Sequence, residues 1–311
     1  MPLVGLVDPS HSERRRDKPG RLPTWIPVEE LLAESLRQGT KWSSWTYEMI
    51  QAALTEHQER GDRISTTTLV AACPRGTVLE RKADYIGDLD SMYASLRGTM
   101  IHRTLEYEAR PGSVAEGRFF TTLYGGKGVG DLEVSGSPDL VTGPPEATLY
   151  DFKTTDSPPT YDYPWAEHAE QVQLNRFIVN NAAKWELGEG QVLPWNPREL
   201  VIKHLVLVYL GPKWPKPLEV TVSVPWTTPS GATKKVKQPN IWTDERVREE
   251  FEPKLHWMAR ALNEYPVFPK GAELLWGGEA DWRCPGKPLC QLPNCVAKRF
   301  PNGLIWPSPK N

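Results

Sequence analysis

The segment SGSPDLVTGPPEATLYDFKTT, residues 135–155, constrains this chain more than any other stretch. Thr142-Gly143-Pro144-Pro145 is a strong turn signal between two β-like runs. If the runs pair as a hairpin, one register sets Asp139 opposite Asp151. Side chains alternate along a strand. In that register Leu140, Tyr150 and Phe152 face a core, while Asp139, Asp151 and Lys153 face the other way. Two carboxylates ~5 Å apart repel by roughly 3 kcal/mol at an effective dielectric of about 20. Lys153 supplies one compensating charge, and a divalent cation supplies more. Hard cations such as Mg²⁺ take one or two carboxylates and keep positions for water and phosphate oxygen. A lysine on the same face stabilises developing charge. The pattern therefore points to metal-dependent phosphodiester hydrolysis. The competing interpretation is an exposed strand face carrying an ordinary Asp–Lys pair.

The rest of the chain gives this hairpin a setting. Its 311 residues suit one large domain or two small ones. The 30 Pro and 24 Gly make up about a sixth of the chain, below the roughly 25–30% that marks low complexity. A net charge of −2 excludes a strongly basic nucleic-acid binder but leaves room for a local basic groove. No stretch approaches the ~18 apolar residues that span a bilayer. At the N-terminus the charges follow a very short apolar run, whereas a signal peptide places them before a longer one. The expectation is a soluble, intracellular, cytoplasmic protein with no membrane partner.

Residues 1–25 read as a flexible arm with Arg14, Arg15, Arg16 and Lys18 as a basic cluster, and 28–60 as helix. Ser65 to Thr68 offer caps for a short helix before Pro74. A helix opens after Gly98, with His102 and Glu106 one turn apart. Residues 116–141 read as strands interrupted by Gly125-Gly126-Lys127-Gly128-Val129-Gly130. That run does not fit GxxxxGK[ST], so a hairpin turn is expected. Thr148 to Thr154 reads as strand, 165–182 as helix, and 200–210 and 217–226 as strands. Thr243 caps a helix to about Tyr265, striped by Val247, Phe251, Leu255, Met258 and Leu262, which Pro253 should kink. The order is that of a mixed α/β domain with extensions at both ends.

Pro138-Asp139 followed by Asp151-Phe152-Lys153 resembles the PD-(D/E)XK nuclease superfamily. Four further segments resemble its RecB-like exonuclease branch, which includes AddB, CRISPR-associated RecB-like exonucleases and related phage proteins. These are STTTLVAACPR (65–75), RGTMIHRTLE (97–106), EHAEQVQLNRF (167–177) and DWRCPGKPLCQLPNC (281–295). The resemblance covers roughly residues 61–295 in order. It implies a restriction-endonuclease-like mixed central sheet flanked by helices, with a helical N-terminal extension and a Cys-containing C-terminal tail. The corresponding division is a basic arm and helical extension over 1–60, a nuclease core over 61–240, and a C-terminal helix with a Cys-rich tail over 241–311.

The resemblance makes His102, Asp139 and Asp151 ligands of Mg²⁺ or Mn²⁺, with the Phe152 carbonyl as a further ligand and Lys153 as the catalytic lysine. A functional Gln falls at Gln171 if Asn175 replaces the family's aromatic, or at Gln173 if that aromatic is Phe177. Gln171 is favoured because it lies one turn from His168. Glu106 would orient His102 or form a plain helix-surface pair. Cys73 would join Cys284, Cys290 and Cys295 around a [4Fe–4S] cluster, with Zn²⁺ the alternative. The tail spacing here is C-x5-C-x4-C, against the family's C-x2-C-x5-C.

The activity so implied is a DNA exonuclease working from free ends or on single strands, in recombination, repair or DNA processing. The chain carries no helicase motif, so any unwinding would need a helicase or recombination partner. Oligomeric state is not written in the sequence. Most of the 13 Trp should be core or loop-packing residues; Trp165 and Trp282 are the better-placed candidates to stack on bases, with a buried ring the leading alternative for each, and Lys234, Lys235 and Lys237 read first as a solvated loop and second as a phosphate contact. A structure-specific endonuclease and a noncatalytic DNA-binding scaffold are the alternatives.

Overall fold

The computed structural model describes residues 3–7, 25–27, 30, 63–70, 74–82, 85–87, 98–100, 102, 104, 111–155, 164, 166–188, 191–197, 199–211, 217–222 and 241–265. All four cysteines, the basic cluster at 14–18, Glu106, Trp165, Trp282, Lys234, Lys235 and Lys237 lie outside the described residues. So do the helices expected over 28–60, apart from Glu30.

The described elements begin with β1 (Leu3–Val7), β2 (Trp25–Pro27), β3 (Ile64–Ser65), α1 (Thr66–Leu69), α2 (Pro74–Lys82) and β4 (Tyr85–Gly87). Then come β5 (Val114–Ala115), β6 (Arg118–Tyr124), β7 (Asp131–Gly136), β8 (Leu140–Val141) and β9 (Ala147–Thr154). The last are α3 (Ala166–Asn180), β10 (Lys184–Glu186), β11 (Ile202–Leu210), β12 (Leu218–Thr221) and α4 (Asp244–Glu264).

The chain divides into two compact units. One comprises residues 1–62, 72–97 and 260–311. Its three-stranded sheet has the order β2-β1-β4, with β1 antiparallel to β2 and parallel to β4. The sequence suggests an arm over 1–25, yet Leu3–Val7 is the central strand of this sheet. Apolar and β-branched residues dominate LVGLV, and a partner on either side satisfies its backbone.

The other unit comprises residues 63–71 and 98–259. It holds two mixed, open sheets flanked by helices, of order β10-β6-β7-β3 and β12-β11-β9-β8-β5. Where a single central sheet is expected, pairing divides the strands into two. β6 and β7 form a hairpin closed by the glycine run, and β11 lies parallel to β9 after the α3 crossover. Gly126, Gly128 and Gly130 have φ of 95°, 87° and 79°, which a turn this tight demands. His256 of α4 donates from Nδ1 to the Gly125 carbonyl and fills the space that a Gly126 side chain would need.

α1 is a single turn, held by a capping box in which Ser65 and Thr68 bond each other's backbone N–H. Thr243 caps α4 through the Arg246 N–H at 3.2 Å. Val247, Phe251, Leu255 and Met258 are fully buried along its stripe. α4 continues through Pro253 as one 21-residue element.

α3 touches strands of both sheets and is buried at every residue from Gln171 to Val179. Val172, Leu174, Phe177, Ile178 and Val179 supply the apolar contacts. Four polar side chains are buried with them and need partners. Gln173 accepts from the Trp242 N–H at 3.0 Å, and Arg176 bonds Asp244 at 2.6 Å and the Trp242 carbonyl at 2.7 Å. These bonds tie α3 to the start of α4. Gln171 points elsewhere, into the site. Asn175 lies where a Gly136 side chain would meet it, and its amide has no hydrogen-bond partner among the described residues.

Candidate active site

The hairpin β8–β9 has the register that opposes the two aspartates. Leu140 pairs with Tyr150 and Val141 with Leu149, so one step further Asp139 meets Asp151. The same stepwise reading extends to β5. Val114 pairs with Val141 and Ala115 with Leu140, so Glu116 follows opposite Asp139. The Glu116 N–H donates to the Asp139 carbonyl at 3.1 Å and continues that pairing. Glu116, Asp139 and Asp151 thus form one row across the sheet.

The aspartates do share a face, but it is the covered one. Asp139 is 4% exposed and Asp151 1%, whereas Leu140, Tyr150 and Phe152 are half-buried, with the two rings stacked 6.4 Å apart. The assignment of Leu140, Tyr150 and Phe152 to the core side is therefore reversed. The cause is α3, which lies over the Asp151 face and reaches Lys153 through Gln171. An ordinary solvated Asp–Lys pair is excluded by the same burial.

Two groups of side chains meet here. In the first, His102 Nδ1 lies 3.0 Å from Glu116 Oε1 and 3.2 Å from Asp139 Oδ1. Asp139 Oδ2 accepts the Phe152 N–H. Burial alone would lower the His102 pKa. The hydrogen bonds and charges of Asp139 and Glu116 outweigh it and raise the imidazole to about 10. In the second group, Lys153 Nζ lies 2.7 Å from Asp151 Oδ2 and donates to Gln171 Oε1 at 3.0 Å. Burial pushes Asp151 up to about 6; Lys153 opposes the rise and Asp139 adds to it. Neither Asp151 oxygen receives a well-directed hydrogen bond among the described residues, despite the ion pair.

Ligand atoms of His102, Glu116 and Asp139 all lie within 4.8 Å of one another. One imidazole nitrogen with two carboxylate oxygens is a donor set that could hold a metal ion. The under-bonded Asp151 carboxylate at the end of the row fits the same use. The residues present are therefore compatible with a divalent ion.

Sequence reasoning missed Glu116; Glu106, for which it left open either an orienting role or a plain surface pair, lies outside the described residues. β5 is two residues long, too short for periodicity to register. Glu116 also sits in a left-handed conformation, φ 52°, which costs energy for a non-glycine residue. Bonds from Ser137 Oγ to the Glu116 and Gly117 carbonyls, at 3.2 and 3.4 Å, hold that turn. The readable signal was the Glu116-Gly117 step. A side chain at Gly117 would crowd Val114 and Leu187, so a glycine suits the position after the left-handed Glu116. Of the two candidate glutamines, Gln171 meets Lys153 and Gln173 is spent on α4.

No family model and no curated protein matches the chain. Thirteen chains of solved structures do. One is described as "Crystal structure of SSO0001": it is 15% identical, with a TM-score of 0.43, over 71% of this chain and 87% of that one. No helix among the described residues is long and apolar enough to cross a membrane.

Proposed function

We propose that this chain is a metal-dependent deoxyribonuclease of the PD-(D/E)XK type, with a restriction-endonuclease-like core. In this reading it is a RecB-like exonuclease that hydrolyses DNA from its ends, favours single strands, and serves recombination, repair or DNA processing. The observation that carries the reading is the row Glu116–Asp139–Asp151, with His102 at one end and Lys153 beside the buried Asp151.

His102, Glu116, Asp139 and Asp151 would hold Mg²⁺ or Mn²⁺. A bound ion supplies charge neutralisation at the scissile phosphate and activation of the attacking water. Lys153 keeps its ammonium between Asp151 and Gln171, where it faces the charge that develops on phosphate. Gln171 fixes the lysine from the buried helix α3, so the ammonium does not search among rotamers. Glu116 and Asp139 hold the His102 ring from the carboxylate side. The [4Fe–4S] or Zn²⁺ site at Cys73, Cys284, Cys290 and Cys295 is a separate part of the proposal, tested by metal and sulfide analysis of anaerobically purified protein.

The test is cleavage of end-labelled linear single-stranded, linear duplex and circular DNA with Mg²⁺ or Mn²⁺, beside Lys153→Ala. Loss of linear substrates alone, abolished by Lys153→Ala, is the expected result. Cutting of circles would move the assignment to an endonuclease. DNA binding without cleavage by metal-loaded protein would reduce the chain to a scaffold.

A further inference from the structure

We infer that Ser137 is a positioning residue of the metal site, whose hydroxyl holds Glu116 in the backbone conformation that brings its carboxylate to His102 and Asp139. The inference rests on the metal-binding reading above and names a device that preorganises that site. Ligand atoms of His102, Glu116 and Asp139 lie within 4.8 Å of one another. Asp139 comes to that place beside the β8–β9 pairing. Glu116 has no such support from a long strand. It follows the two-residue β5 and has φ 52°, in the left-handed region. A non-glycine residue enters that region at a cost and stays there only where its surroundings hold it.

The hold comes from residues 137–139. The Glu116 N–H donates to the Asp139 carbonyl at 3.1 Å. The Glu116 carbonyl accepts from Ser137 Oγ at 3.2 Å, and the same hydroxyl reaches the Gly117 carbonyl at 3.4 Å. A carbonyl oxygen only accepts, so the serine is the donor in both contacts. Both backbone polar groups of Glu116 are thus engaged by one short segment that ends in Asp139. One carboxylate of the metal site is clasped to the stretch of chain that carries the other. Of the two ends of this clasp, the N–H end is backbone to backbone and survives any side-chain change. The carbonyl end depends on a hydroxyl that only residue 137 supplies. Without it the Glu116 peptide can leave the left-handed region, and rotation there swings the carboxylate away from His102 Nδ1, which it meets at 3.0 Å. Ligands fixed in advance bind a metal more tightly, because less ordering remains to be done on binding.

The experiment measures Mn²⁺ binding to the full chain by titration calorimetry, with the melting temperature of each variant beside it. Ser137→Ala should weaken Mn²⁺ binding about tenfold with unchanged stoichiometry. Ser137→Thr, which keeps the donor, should stay within about twofold of wild type, whereas the isosteric Ser137→Val should match alanine. In a Glu116→Gln background Ser137→Ala should add about twofold or less, because the carboxylate that the serine positions is already gone. A merely structural serine would lower the melting temperature or the stoichiometry and leave the Kd of the folded protein in place. That result overturns the inference, as does a full Ser137→Ala effect in the Glu116→Gln chain. Should Ser137→Ala fail to fold, the threonine and valine variants carry the test, and equal affinity in those two overturns the inference. A wild type that binds no Mn²⁺, or binds it unchanged after Asp139→Asn, overturns the metal reading and this inference with it. A wild type that binds Mn²⁺ through Asp139, beside a Ser137→Ala chain of equal affinity, overturns this inference alone.

Discussion

His102, Glu116 and Asp139 make one half of the site, and Asp151, Lys153 and Gln171 the other. The first half gathers two carboxylates around one imidazole at its partly exposed rim. Their combined field holds a proton on His102 up to about 10, although burial acts against it. The second half is buried and has its own cation. Lys153 compensates Asp151, yet burial still lifts the carboxyl to about 6. A proton thus balances the rim, where a metal ion would take its place. The Lys153 ammonium balances the interior at 2.7 Å from Asp151. In the proposed function the rim would exchange its proton for a metal ion, whereas the interior keeps Lys153 beside Asp151.

The sharpest way to break this comparison is to remove the interior cation. Lys153→Ala should lower cleavage by about 10²–10³-fold, from loss of charge stabilisation at the phosphate. Mn²⁺ binding, measured by calorimetry, should persist because the rim ligands are intact. Loss of metal binding in equal measure would mean that the two halves are one electrostatic unit. Next in size, Glu116→Gln should weaken Mn²⁺ binding by about 10–100-fold, since it removes both a carboxylate and the partner of the His102 ring. Glu106→Gln should have much the smaller effect. The reverse order would hand the orienting role back to the His102 helix.

A third comparison separates the two glutamines of α3. Gln171→Ala should lower kcat about tenfold with little change in melting temperature, because it frees the lysine. Gln173→Ala leaves the buried Trp242 N–H unpaired, at a cost of about 1–3 kcal/mol, and should lower the melting temperature without altering kcat. Equal effects on both readouts would remove the case for Gln171 as the residue that holds Lys153.

How much of this was legible follows from what each signal encodes. Thr142-Gly143-Pro144-Pro145 and the two flanking runs contain the hairpin, and strand alternation contains the shared face of Asp139, Asp151 and Lys153. Alternation does not say which face is covered. That depended on where α3 came to rest, a tertiary outcome, so Tyr150 and Phe152 were assigned to the wrong side. Glu116 was hidden for a different reason. Its place in the row comes from a two-residue strand and a left-handed turn, both below the reach of periodicity. The ambiguity between Gln171 and Gln173 was likewise beyond spacing arguments, because every residue from 171 to 179 is buried and only packing sends Gln171 to Lys153 and Gln173 to the Trp242 N–H. The strand at Leu3–Val7 was overlooked because the charged residues after it dominate the local composition.

The smallest effect concerns pH, and it follows from the sign of the two shifts. Asp151 has a folded pKa of about 6 against an ordinary 3.8, so the metal-free folded state holds that proton more tightly than the unfolded chain. Its contribution to stability is greatest below 3.8 and declines as pH rises to about 6. His102 is raised from 6.5 to about 10, so its contribution is complete below 6.5 and is lost as pH climbs toward 10. Both steps weaken the metal-free protein as pH rises, and both deprotonations favour a divalent ion. The melting temperature in EDTA should therefore fall between pH 5 and 9 relative to that in Mn²⁺. The gap should widen by a few degrees, given about 2–4 °C per kcal/mol for chains of 150–250 residues. Asp151→Asn should flatten the lower part of the divergence and His102→Gln the upper part. A gap that stays constant across this range would mean that the rim does not trade its proton for the metal, and the contrast between the two halves would have to be abandoned.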